Sequence, residues 1–283
     1  MPVQLEGRYL DDVLKFEEEN MRSREAIVVA SGENLLCGQV IGKVGKVLGS
    51  PTKTGTGGGD MTGISLGVQA KVGTYRMTCI TAGAAGIFEV ADPDGLTLPQ
   101  ATVGVAYTSP QINFTINDGT PDFAAGDYFT VPVAVGSLKA KKISFTTVDG
   151  TRDAAGFVAD DYDASAADKA AVSIFRDAVV AEQGLRWPIA FTSGGTFEVK
   201  AGHIITGATS AKTAKVVRAD LTSGTWAGGN AAGTFIVEAI SGDFQAENIN
   251  VGSNNDVATV AATATAAALA QLAAKNIITR KEV

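Results

Sequence analysis

Cysteine and histidine are nearly missing from this chain, which has 2 Cys and 1 His in 283 residues. Cys37 and Cys79 lie far apart, each in a stretch read as a strand. A disulfide framework is therefore not expected, and a reducing cytoplasm suits assembly. One His and two separated Cys cannot supply the usual ligand sets for zinc, and neither a metal nor a cofactor is expected. His203 stands in a strand-like segment with no nucleophile or orienting acid beside it, which argues against Ser-His-Asp and Cys-His catalysis. An excess of basic residues is missing too. The 23 Lys and Arg stand against 30 Asp and Glu, a net charge of −7, and this leaves no electrostatic footprint for nucleic acid. No apolar run approaches a membrane span, and residues 1–20 are acidic, unlike a signal peptide, so no membrane partner is expected.

Aromatics are also scarce at 7%, whereas Gly is plentiful at 33 residues beside abundant Ala, Thr and Val. That mixture suits short strands joined by tight turns and argues against a helical bundle. The length suggests about two domains.

The pattern along the chain divides it further. Residues 1–22 are acidic, with Leu10, Val13 and Leu14 on one narrow helical stripe, and read as an arm that either frays or orders against a partner. From Glu25 to Val44 the pattern is that of strands. The run Gly55-Thr56-Gly57-Gly58-Gly59-Asp60 follows, without the Lys-Ser/Thr of a phosphate loop, and reads as a flexible linker. Residues 61–136 read as an all-β unit. Tyr75, Met77 and Cys79 alternate with polar residues, as do Ile112, Phe114 and Ile116, and a further stripe runs Phe129, Val131, Val133, Val135. Pro132 suggests that this last strand lies at a sheet edge. Asp92-Pro93-Asp94-Gly95 has the residues of a tight turn.

Strand patterns resume from Lys139, and Leu185-Arg186-Trp187-Pro188 closes that stretch. Within residues 192–262, Gly202-His203-Ile204-Ile205-Thr206-Gly207 resembles Glu247-Asn248-Ile249-Asn250-Val251-Gly252, which reads as two similar β motifs folded onto each other. Thr263 to Lys275 is Ala-rich and reads as a helix that Asn276 can end, before a last strand Ile277-Ile278-Thr279-Arg280. The fold class is mainly β (α+β core). A small β domain with one C-terminal helix, residues 23–54, 139–191 and 263–283, is interrupted by all-β insertions at 61–136 and 192–262.

Little of this sequence points to chemistry. Asp160, Asp161 and Asp163 could hold a cation, but Ala166 and Val172 occupy the Gly and Glu positions of an EF-hand loop, and a solvated turn is the simpler reading. No carboxylate pair stands out for glycoside hydrolysis, and an enzyme is not expected.

The segments Tyr9-Leu10-Asp11-Asp12, Ser23-Arg24-Glu25, Gly38-Gln39-Val40-Ile41-Gly42-Lys43, Gly156-Phe157-Val158 and Asp161-Tyr162-Asp163-Ala164 resemble the lambda-type head decoration proteins of tailed phages. The resemblance continues in Leu185-Arg186-Trp187-Pro188 and in the segment from Leu269 to Ile278. It covers residues 5–50, 139–190 and 263–283 and implies a non-enzymatic protein on the outer surface of the expanded capsid, assembled in the host cytoplasm. Its implied partners are the major capsid protein and two further copies of itself. The capsid-binding candidates are then Tyr9, Leu10, Leu14, Phe16, Ser23, Arg24 and Glu25, with Trp187 and Pro188 as candidates for trimer interface or core. Deleting residues 1–20 is expected to abolish capsid binding and leave the fold intact. The alternatives are another β-rich virion protein, such as a tail tube, or an adhesion module that stacks host-surface glycans on Tyr107, Tyr128 or Trp226.

Overall fold

Alternation with period two becomes strand throughout: the structure, a computed structural model that describes residues 9–281, is mainly β. It divides into two bodies. Among the described residues the first runs to Lys43 and resumes over Lys139–Thr147 and from Thr151 onward; the second comprises Val44–Leu138 and Val148–Gly150.

The first body opens with a helical turn, α1 (Leu10–Val13), that leads into β1 (Leu14–Glu17). After it come β2 (Arg24–Val29), β3 (Glu33–Leu35) and β4 (Val40–Lys43). Residues 10–17 are thus regular structure, because Val13 is fully buried in the apolar core, with Leu10 and Leu14 packed against it.

The second body begins earlier than the sequence suggested. Its strands are β5 (Lys46–Leu48), β6 (Thr52–Thr54), β7 (Asp60–Leu66), β8 (Gly73–Thr81), β9 (Ile87–Ala91), β10 (Thr97–Thr102), β11 (Ala106–Tyr107), β12 (Ile112–Asn117) and β13 (Tyr128–Val135). One sheet has the order β10-β9-β8-β13-β5 with β6 also on β13, and a second has the order β11-β12-β7. The alternating residues fill the space between them. Tyr75, Met77, Cys79, Phe88, Phe129, Val131 and Val133 share one core with Met61, Ile112, Phe114 and Ile116, whereas Val135 at the strand end is exposed. Residues 46–54, assigned above to the small domain, pair with β13 instead. Val44 O accepts from Leu138 N–H and thereby closes the two ends of this body.

Two readings change here for identifiable reasons. Pro132 is central rather than at an edge, because β13 pairs with β8 on one side and with β5 and β6 on the other. Its carbonyl accepts from Gly49 N–H, so its missing N–H faces the gap where the partner changes from β5 to β6 and breaks no ladder bond. The glycine run is packed rather than a free linker. Lys53 Nζ donates to Gly57 O (2.6 Å) and Gly59 O (2.8 Å), and a Cβ at Gly57 or Gly59 would overlap the Phe123 ring.

The chain returns through β14 (Ala140–Lys142), β15 (Gly156–Val158), β16 (Tyr162–Ala164), β17 (Lys169–Ile174) and β18 (Ala178–Ala181). Strands β14-β2-β17-β15-β4 close a small barrel, and β16 pairs with β3. Lys43 and Ala140 are cross-strand neighbours of β4 and β14, so the inserted chain leaves and re-enters at adjacent positions, as tolerated insertions do. The strands β19 (Trp187–Ser193), β20 (Ile204–Gly207), β21 (Thr213–Ser223), β22 (Ala232–Glu238), β23 (Glu247–Val251) and β24 (Asn254–Val260) close a second barrel, β19-β22-β21-β20-β23-β24. The two look-alike segments noted in the sequence lie side by side in it as β20 and β23, with Ile205 opposite Val251 and Gly207 opposite Ile249.

The boundary read at residue 192 falls inside β19. The second barrel also shares one apolar cluster with the rest of the body, from Val13, Val40 and Phe157 through Trp187 to Phe235, Val257 and Leu272. Shared burial therefore makes residues 192–262 part of the first body rather than a separate appendage.

Helix α2 (Thr265–Ala273) and β25 (Ile277–Arg280) end the described chain. Asn276, at φ +59°, takes the left-handed conformation that stops a helix. The other end is capped from a distance. Asp243 Oδ1 accepts from Thr265 N–H (2.5 Å), Thr265 Oγ1 (2.6 Å) and Thr263 Oγ1 (3.0 Å). Burial raises the pKa of this carboxyl, but the Thr265 and Thr263 bonds outweigh it and hold the group below its ordinary value. Asp243→Ala is expected to cost about 1–2 kcal/mol, the usual worth of a helix cap, read as a lower urea midpoint at unchanged m-value.

Candidate functional site

The capsid-binding candidates named above separate into two groups. Tyr9 and Phe16 are exposed, at 68% and 61%, whereas Leu10 and Leu14 pack against the core. Ser23 is fully buried and structural: its Oγ accepts from Glu18 N–H (3.1 Å) and donates to Asp177 O (2.7 Å). Arg24 grips Glu17 through two parallel bonds, Nε to Oε2 (2.9 Å) and Nη2 to Oε1 (2.7 Å), and this pairing raises the guanidinium pKa. Glu25 is paired with Lys43 at 2.7 Å. The side chains of 23–25 are thus committed within the chain, and the exposed apolar groups lie earlier.

What aims Phe16 outward is a bulge. In β1, Leu14 lies opposite Val180 and Phe16 opposite Val179, so the ladder passes over Lys15. Strict alternation would put Leu14 and Phe16 on one face; the extra residue turns Phe16 to the other. The sheet β1-β18-β25 then carries Ala178, Val180 and Ile277 inward, all buried. On its outer face Phe16, Val179 and Ile278 form a single cross-strand row, with Ile278 48% exposed. These three residues, with Glu18, Asp177 and Asn276, line an open groove of about 310 Å³. Val179, Asp177, Asn276 and Ile278 were not named as site residues from the sequence. They come from distant segments, and only the pairing of β18 with both β1 and β25 unites them.

Trp187 and Pro188 lie inside a single chain: Trp187 is fully buried, its ring stacked over Phe145 with centroids 6.4 Å apart, and Pro188 is buried beside it. The aromatics considered for glycan stacking are engaged within the chain. Tyr107 is buried and stacks on Phe114 at 4.6 Å, Trp226 is buried and stacks on Phe191 at 5.1 Å, and the Arg76 guanidinium covers Tyr128 at 3.9 Å.

The remaining polar candidates serve local structure. His203 Nδ1 accepts from Lys200 N–H, and its ring stacks on Phe197. Asp160 accepts from the backbone N–H of Asp161, Asp161 from that of Cys37 and Asp163 from that of Ser165, so all three clustered carboxylates hold local backbone. Cys37 sits in a turn rather than a strand, and both cysteines are buried thiols outside any disulfide. In the acidic second body Lys71 Nζ lies 2.6 Å from both Asp92 and Asp94, and this bond holds the buried Asp92 carboxyl down to about 2. Among the described residues, no three metal-ligating side chains converge.

The profile of the family described as bacteriophage lambda head decoration protein D matches residues 3–200, well over half of the chain. The chain belongs to this family. It is therefore a structural protein of the phage capsid, located in the virion, and the family role is structural rather than catalytic. The match runs from the N-terminal segment through the small barrel and the inserted second body to Lys200, just beyond β19. It stops short of Leu269–Ile278, the last segment on which the resemblance drew. No curated protein and no solved structure gives a significant match.

Proposed function

We propose that this decoration protein binds the outer surface of the expanded capsid as a homotrimer at threefold and quasi-threefold positions and stabilises the shell against the pressure of packaged DNA. The observation that carries the reading is the family match across residues 3–200. The geometry supports it in one further respect: among the described residues β1 pairs only with β18, so its other edge is open to a further strand near the N-terminal end of the chain. A free edge takes up another strand through main-chain hydrogen bonds, and such bonds need no distinctive side-chain sequence. Three such edges in one trimer bind through effective concentration, so individually weak contacts add up to firm seating where several shell subunits meet.

Truncation tests this reading, with the cut placed by the structure. The arm proposed to contact the shell spans residues 5–25, and its first part, residues 5–8, lies outside the described residues. Removing residues 1–20 would delete Val13, a fully buried core residue, and the whole of β1, so that truncation is no longer expected to leave the fold intact. Removing residues 1–8 spares both. This shorter truncation leaves every described residue in place and is expected to keep the melting temperature within about 2 °C. Co-sedimentation with undecorated expanded capsids should weaken by tenfold or more. Binding at the full-length level would remove residues 5–8 from the contact, and a monomeric solution mass would count against the preformed trimer.

A further inference from the structure

We propose that the outer row Phe16, Val179 and Ile278, with the acidic corner of Glu18 and Asp177, seats an extended segment of the shell subunit that carries apolar side chains next to a lysine or arginine. The inference rests on the capsid-binding reading above and adds the chemistry of the partner. Three observations point to it. First, the bulge at Lys15 turns an aromatic side chain away from the core, where alternation would have placed it, and into line with two aliphatic ones. Bulges of this kind re-aim a side chain where a surface has work to do. Second, the corner is preorganised: Asp177 and Asn276 both hold left-handed backbone, at φ +47° and +59°, and Asn276 Nδ2 donates to Asp177 Oδ1 at 2.8 Å. Ser23 Oγ ties down the carbonyl of the same Asp177 at 2.7 Å.

Third, the charge at the groove is unevenly met. Among the described residues the cations beside Glu18 and Asp177 are loosely placed, Arg22 at 3.9 Å and Arg176 at 3.7 Å, while Asp11, Asp12 and Glu19 stand exposed on the same stretch of chain. An incoming cation at hydrogen-bond distance would be held more closely than either arginine holds now. A second copy docked by twofold symmetry would bring this acidic margin against itself, which like charges oppose, so a basic-flanked partner fits and self-pairing does not.

The test is co-sedimentation of the full-length protein with undecorated expanded capsids across a salt series. Ile278→Glu adds a carboxylate to the groove floor, and Phe16→Ser removes the re-aimed ring; both positions are exposed and outside the core, so the fold is retained. Each variant is expected to bind at least tenfold more weakly, with melting temperature and solution mass unchanged. Asp177→Asn keeps the left-handed backbone and the acceptor for Asn276, and should flatten the salt dependence of binding. If wild type binds capsids and Ile278→Glu and Phe16→Ser bind equally well, this face is not the seat and the inference falls while the capsid-binding reading stands. If the variants lose solution mass instead, the face joins copies of the chain and the inference falls. If wild type fails to bind capsids at all, the reading beneath it is overturned as well.

Discussion

Trp187→Ala is expected to lower the stability of the first body by about 3–5 kcal/mol, the range for truncating a large buried aromatic. The indole is fully buried at the start of β19, stacked over Phe145, in the cluster that joins Val13 of α1 and Val40 and Phe157 of the small barrel to Phe235 and Val237 of the larger one. Truncation leaves a cavity where two barrels share their core, and neither can collapse into it without losing register with the other. A loss of this size is a large part of the whole stability of an ordinary domain, so the urea midpoint should fall sharply. Trp187→Phe keeps an aromatic surface against Phe145 and should lose less than half as much. The outcome also separates core from interface. An interface tryptophan would change the solution mass and leave the unfolding of dilute monomer alone; a core tryptophan does the reverse.

Asp127→Ala is expected to cost about 2 kcal/mol in the second body alone. The Asp127 carboxylate is buried where the glycine run meets the loop before β13, and accepts from Thr56 N–H (3.0 Å), Gly57 N–H (2.9 Å) and Ala124 N–H (2.9 Å). Alanine strands the buried Gly57 N–H, which costs about 1 kcal/mol or more, while the Thr56 and Ala124 N–H groups belong to exposed residues and lose only an ordinary bond. The Ala124 bond first, and the Thr56 and Gly57 bonds with it, hold the carboxyl below its ordinary value against the opposing effect of burial. A carboxyl whose pKa is lower folded than unfolded stabilises the fold above its unfolded value, about 3.9, and loses that contribution as pH falls through the folded one. Asp243, with its pKa also lowered, acts in the same direction in the first body. Thermal melts from pH 7 to pH 2 should therefore show both bodies weakening below about pH 4, with the second losing its Asp127 share only in wild type. If Asp127→Ala melted like wild type at every pH, the glycine run would be held by its packing on Phe123 and not by this carboxylate.

Much of the fold was legible because strand faces are written locally. Tyr75, Met77 and Cys79 point into one core with Ile112, Phe114 and Ile116, as their spacing requires, and Asn276 ends the Ala-rich helix where its conformational freedom allows. The paired look-alike segments around Ile205 and Val251 were readable for the same reason: similar strands have similar partners. The family was legible too, since the ordered matches from Tyr9 to Pro188 lie within the matched residues 3–200.

The candidate site was less legible, because its members depend on pairings between distant segments. Composition and alternation by themselves determined that this chain is a mainly β protein without a visible catalytic centre, and where its apolar faces alternate. Only the tertiary structure decided that Phe16 leaves the core, since one skipped residue in the pairing of β1 with β18 reverses a face and leaves no local trace. It alone made the glycine run rigid, because Asp127 and Phe123 reach it from about 70 residues further along. It alone merged the second barrel with the first, because burial is shared across the segments that end at Trp187 and begin again at Thr265. Local spacing dictates which face a side chain prefers; which surface finally covers that face is settled by contacts between parts of the chain that no local pattern connects.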